Sequence, residues 1–115
     1  MMKNEFAPYD LALAMKELGF DEDVCGYFGK GNKLFIVTPE YNDVIKLLKA
    51  PTYSQAFRWF REKYSLYHII ALSGDVFLCT IDISSWTDKT KTYDEAELAC
   101  LQKLIEIVNQ NKDEE

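Results

Sequence analysis

Apolar residues recur at spacings of three and four in three stretches of the chain, and shorter runs between them alternate apolar with polar. The first stretch predicts a helix over residues 7–18, with Leu11, Ala14, Met15 and Leu18 on its buried stripe. Pro8 suits its first position, Gly19 suits the residue just past its end, and Phe20 is placed to make the apolar contact of that ending. The second stretch, Pro51 to Leu66, carries Tyr53, Ala56, Phe57, Phe60 and Tyr64 on one helical face. Thr52 followed by Gln55 is a capping-box pattern, and Pro51 discourages helix before it. The third stretch runs from Thr92 to Val108, with Thr92 and Glu95 as a second capping box. Its apolar positions, from Ala96 to Val108, cover more than half the helix circumference, which calls for burial on two sides or contact with another subunit.

Between these helices the pattern shortens to strands. Val24 to Phe28 and Lys33 to Thr38 form a predicted hairpin about the turn Gly29-Lys30-Gly31-Asn32, and Pro39 closes it. Asn42 caps an expected short helix reaching Lys49. Tyr67 to Leu72 and Val76 to Ile83 form a second hairpin about Ser73-Gly74-Asp75, with Phe77, Cys79, Ile81 and Ile83 toward the helices. Ser84 to Lys91, with Trp86 inside it, reads as a polar loop, and Asn109 to Glu115 as a polar tail. The expected architecture is α+β, in the order helix–hairpin–helix–hairpin–helix. It has one antiparallel sheet of about four strands and helices packed on one face. One domain over residues 1–115 is expected, with its core at about 6–108.

The helix starts resemble one another. Thr52-Tyr53-Ser54-Gln55-Ala56 matches Thr92-Tyr93-Asp94-Glu95-Ala96 closely, and Pro8-Tyr9-Asp10-Leu11-Ala12 matches more loosely. Either an internal repeat or the convergence of good caps on the same residues accounts for this.

Composition narrows the function classes. With 48% hydrophobic and 28% charged residues the chain is built to fold. No apolar run approaches a membrane span, and no apolar run follows the N-terminus as a secretory signal would, so the cytoplasm is the expected location. Cys25, Cys79 and Cys100 are odd in number and widely spaced, and His68 is the only histidine. Neither a disulfide framework nor a zinc site is expected, and no cofactor is implied. Asp21, Glu22 and Asp23 lack the spacing of a calcium loop, and the two glycines of the first hairpin open no helix as a phosphate loop would. His68 has no Cys, Ser or Asp near it in sequence, so a structural role is expected.

The net charge of −6 is unevenly spread. Residues Lys46 to Lys63 hold five basic side chains against one acidic, while the segments on either side are acidic. Within this island, Trp59 lies about 120° from the centre of the apolar stripe by helical geometry, near Gln55, Glu62 and Lys63. Arg58 and Arg61 lie on the opposite flank. Two readings follow. In one, Trp59 covers a neighbouring loop and the cations are solvated or paired. In the other, Trp59, Arg58, Arg61 and Lys63, with Trp86, form a partner-binding rim.

Leu18-Gly19-Phe20-Asp21, the segment PTYSQAFRWFREKY and the segment TYDEAELACLQKLIEIV together resemble a set of small uncharacterised proteins encoded in bacteriophage genomes, prophages and mobile elements of gut bacteria. The resemblance covers about half of the chain. It implies a small intracellular accessory protein of phage type, and it supplies no catalytic residues. The expected function is that of a non-enzymatic protein-interaction module with an unknown protein partner, and a homodimer contact is one of the two readings of the last helix. Two alternatives use nucleic acid: the basic central helix binds it, or the acidic remainder imitates it. A third gathers Tyr residues, His68, Asp82 and the cysteines into an enzyme site.

Overall fold

A computed structural model of the chain describes residues 5–36, 47–82 and 86–113. It divides into two compact units, Met1–Gln55 and Ala56–Glu115. The fold is α+β and every strand pair is antiparallel, as expected. Among the described residues the strands form two three-stranded sheets, one in each unit, rather than one sheet of about four.

The first unit opens with α1 (Tyr9–Glu17), for which Pro8 is the cap rather than the first helical residue. The Pro8 carbonyl accepts the amides of Leu11 and Ala12 at 3.1 and 2.9 Å. Leu11, Ala12, Met15 and Leu18 are buried. Gly19 ends the helix at a φ of 102°, with its amide on the Lys16 carbonyl and that of Phe20 on Met15, both at 3.0 Å. These paired bonds make the glycine-terminated ending read from the sequence, and Phe20 is buried beside it. Then follow β1 (Gly26–Phe28), a 3-10 turn at Lys30–Asn32, β2 (Leu34–Ile36) and β3 (Leu48–Ala50). The sheet order is β2-β1-β3, so the first strand is the central one.

The expected helix Asn42–Lys49 lies outside the described residues as far as Lys46, but its end is contradicted. Leu48, Lys49 and Ala50 pair with Phe28, Tyr27 and Gly26. A partner strand overrides the weak helix preference of so short a segment. Phe6, Ala12, Phe28 and Ala50 form the core, flanked by Tyr9, Leu34 and Leu48. Gly26 is required here, since a Cβ on it would lie 2.6 Å from the Phe6 ring.

The units divide inside α2 (Tyr53–Tyr64). The second unit continues with β4 (His68–Ser73), β5 (Val76–Ile81), β6 (Thr87–Thr90) and α3 (Tyr93–Asp113). Its sheet order is β4-β5-β6, a meander with β5 central. The β4–β5 turn is Gly74-Asp75, with Gly74 at a φ of 66°. The segment expected as a polar loop, Ser84 to Lys91, contains β6. Thr87–Thr90 pairs with Phe77–Thr80: its threonines suit an edge strand, and Asp88 and Lys89, on opposite faces of it, both stay exposed. α3 packs against β5, β6 and β4, with Cys79 and Ile81 buried beneath it.

Candidate functional site

The central helix was the expected binding element, and its residues are placed as follows. Trp59 is 6% exposed. Its indole meets Phe60 and Tyr64 edge-on, with centroids at 5.0 and 5.5 Å, and Lys63 Nζ sits 5.0 Å from its ring centroid. The 120° offset from the apolar stripe is real, but the buried arc of α2 is wide enough to take Trp59 in. The rim reading of Trp59 is therefore corrected: the ring is a core group with a lysine laid over it. Arg58 pairs with Glu62 at 3.5 Å along the helix, Arg61 is half-buried, and Trp86 is half-buried in the second unit.

Earlier in the chain, Lys49 Nζ donates to the Asp21 carbonyl at 3.1 Å and to its carboxylate at 3.2 Å. Of the described cations of the basic island, Lys49 and Arg58 thus meet acceptors of the chain itself, Arg58 on the exposed helix surface. The acidic turn is held in the same way. Gln55 Nε2 donates to the Asp23 carbonyl at 2.8 Å and the Glu22 carboxylate at 3.4 Å. Among the described residues no three His, Cys, Asp or Glu side chains group as metal ligands.

The residues suggested for an enzyme site are placed as follows. His68 stacks on Phe57, with centroids 3.7 Å apart and planes at 15°. Burial and, to a lesser degree, the Arg61 charge lower its pKa to about 4. General acid–base work needs a partner that orients the ring and a pKa near the working pH. The ring's environment supplies a phenyl face and a cation instead. The Asp82 carboxylate accepts the Tyr67 amide at 3.0 Å and so closes the start of β4.

Of the three cysteines Cys25 is exposed, and Cys79 and Cys100 are buried. Burial raises the pKa of Cys79, and it pushes that of Cys100 up to about 12. The Cys79 thiol donates to the Asp88 carbonyl at 3.6 Å. Protonated, enclosed thiols are poor nucleophiles. A hollow of about 130 Å³ in the first unit, lined by Lys16, Phe20, Asp21, Leu47 and Lys49, is smaller than an ordinary ligand pocket.

Exposed large apolar residues among the described ones are Leu13, Phe35 and Ile36 in the first unit, the last two on the edge strand β2, and Tyr67, Ile69, Leu72 and Tyr93 in the second. Along α3, Ala96, Cys100, Leu101, Leu104, Ile105 and Val108 are buried within the chain, and Leu98, Ala99 and Ile107 are partly buried. In the second unit, Tyr67 is 50% exposed, Ile69 53% and Leu72 66%, and Ala71 and Ser73 are exposed beside them. They belong to β4 and the residue before it. β4 is an edge strand, and among the described residues nothing pairs with its outer side.

The direction of its backbone groups follows from one bond. The Asp82 amide donates to the Tyr67 carbonyl at 3.0 Å, so Tyr67 faces β5. Alternation then turns Ile69, Ala71 and Ser73 toward β5 and leaves the amides and carbonyls of His68, Ile70 and Leu72 pointing outward. The opposite edge, β6, is shorter and carries Asp88 and Lys89. Sequence reasoning found the β4 hairpin but not its edge position, which depends on β6 pairing with the other side of β5.

No protein-family model, curated protein or solved structure matches this chain.

Proposed function

We propose that this protein is a non-enzymatic interaction module, a small accessory protein of the phage-type set its sequence resembles. Its contact surface is β4, not the central helix. The observation that carries the reading is the edge itself: six uncharged residues, His68–Ser73, with outward backbone donors and acceptors and with Ile69 and Leu72 exposed. Edge strands are commonly shielded by lysine, proline, bulges or short length, and β4 has none of the first two and runs the full length of its partner. Such an edge accepts an added strand through main-chain hydrogen bonds, and its exposed side chains provide selectivity. The basic side chains of α2 give less support to a nucleic-acid role, since Arg58 is paired and Lys63 lies over Trp59.

The test is site-specific photo-crosslinking in bacteria, with a photoreactive residue at Leu72, at Lys89 on the other edge, or at Arg58 on the helix. Adducts to a protein, whether a second copy or another chain, concentrated at position 72 support the reading. Adducts at 58 with none at 72 return the surface to the helix and overturn it.

A further inference from the structure

We propose that the occupant of the β4 edge is a second copy of this chain, joined antiparallel through β4 about a two-fold axis centred on Ile70. The proposal rests on β4 being the contact surface and adds what fills it.

Three observations carry it. The first is register. An antiparallel pair about a two-fold axis sets Ile70 against its own copy, His68 against the partner copy's Leu72, and Ile69 against its Ala71. This uses all the outward-facing residues, His68, Ile70 and Leu72, in hydrogen-bonded pairs. A shift by one residue, centring on Ala71, would push His68 against the Gly74-Asp75 turn and lose its bonds.

The second is side-chain matching. His68, Ile70 and Leu72 lie opposite Ile81, Cys79 and Phe77, so they share the sheet face that α3 covers. Leu72, the most exposed large apolar residue described, gains the imidazole as a cross-strand neighbour, and Ile69 gains a methyl group on the other face.

The third is charge. Two copies of a chain of net charge −6 repel each other, and a contact through β4, which carries no charged side chain, adds no close like-charge pair to that repulsion. The nearest turn carboxylates do not collide. Strand rise puts the two Asp75 residues at opposite ends of the pair, about 30 Å apart.

A strand-edge contact buries less than the ~1,200 Å² of stable complexes, so the dimer is weak and concentration-dependent. Sedimentation of the purified full chain from about 10 µM to about 1 mM reads it directly. The average mass rises toward the dimer value, and Leu72→Lys holds it at the monomer with an unchanged circular dichroism spectrum.

Register is read by cross-linking with Cys25 replaced by serine. Ile69→Cys and Ala71→Cys proteins form a mixed disulfide when oxidised together, and neither forms one alone. A monomer at the highest concentration, or association that survives Leu72→Lys, overturns the proposal. If the chain is monomeric yet cross-links to another protein at position 72, self-pairing fails while β4 stands as the contact surface.

Discussion

The imidazole of His68 lies against the Phe57 ring and within reach of the Arg61 charge, so a proton on it is held beside apolar surface and a like charge. The folded chain binds that proton only near pH 4, whereas the unfolded chain takes it up near 6.5. The unfolded state therefore gains protons first as pH falls, and the folded state loses stability between about 6.5 and about 4. Because the ring is only half-buried, solvent screening reduces the effect to on the order of 1–2 kcal/mol. Urea unfolding at pH 7.5 and pH 5, compared with His68→Leu, measures it. The variant should lack this part of the loss, and an identical pH dependence in both proteins would contradict the assignment. Trp59 makes the complementary point. Its offset from the apolar stripe was legible in the sequence, but the width of the buried arc was not, since that depends on what packs against the helix. Trp59→Ala should cost about 3 kcal/mol of stability. A loss below about 0.5 kcal/mol, the range of ordinary surface substitutions, would put the indole back on the surface.

At the scale of elements, ends were easier to read than partners. The Gly19 ending and both threonine caps depend on a few adjacent residues. Thr52 Oγ1 accepts the Gln55 amide at 3.2 Å, and Thr92 Oγ1 accepts the Glu95 amide at 3.1 Å. Neither capping box closes in the usual reciprocal way. The Gln55 side chain turns to the acidic turn, and the Glu95 carboxylate accepts the Thr92 hydroxyl at 3.0 Å. Thr52→Ala and Thr92→Ala should each cost about 1 kcal/mol by chemical denaturation. Gln55→Glu discriminates further. A capping-box rule favours glutamate there, whereas here it sets an anion against the Asp23 carbonyl and the Glu22 carboxylate, so it should destabilise by about 1–2 kcal/mol. The strands β3 and β6 were missed for a common reason. Leu48–Ala50 is too short for its alternation to register and Thr87–Thr90 has no apolar residue, and both become strands only because β1 and β5 offer them a free side.

At the scale of the molecule, the likeness between the helix starts does not extend to the sheets that follow. The first sheet places its first strand in the centre, and the second is a simple meander. Local cap chemistry accounts for the repeated Thr-Tyr pattern without a repeated unit. The two hairpins suggested a single sheet because strand count is a local property, while the grouping of strands is not. The same limit hid the proposed contact surface. The string His-Ile-Ile-Ala-Leu-Ser reads as an ordinary core strand, and only the order β4-β5-β6 leaves one of its sides open.

The central claim, that β4 is an open edge, is tested most directly by residue-resolved amide hydrogen exchange at low protein concentration. Open and paired amides on one strand differ in protection even when the strand is uniformly ordered. The amides of Ile69 and Ala71 should be protected by β5, with those of His68, Ile70 and Leu72 exchanging fast, and raising the concentration should slow the second set. Uniform protection along β4 at low concentration would show the outer side already covered and would contradict the account.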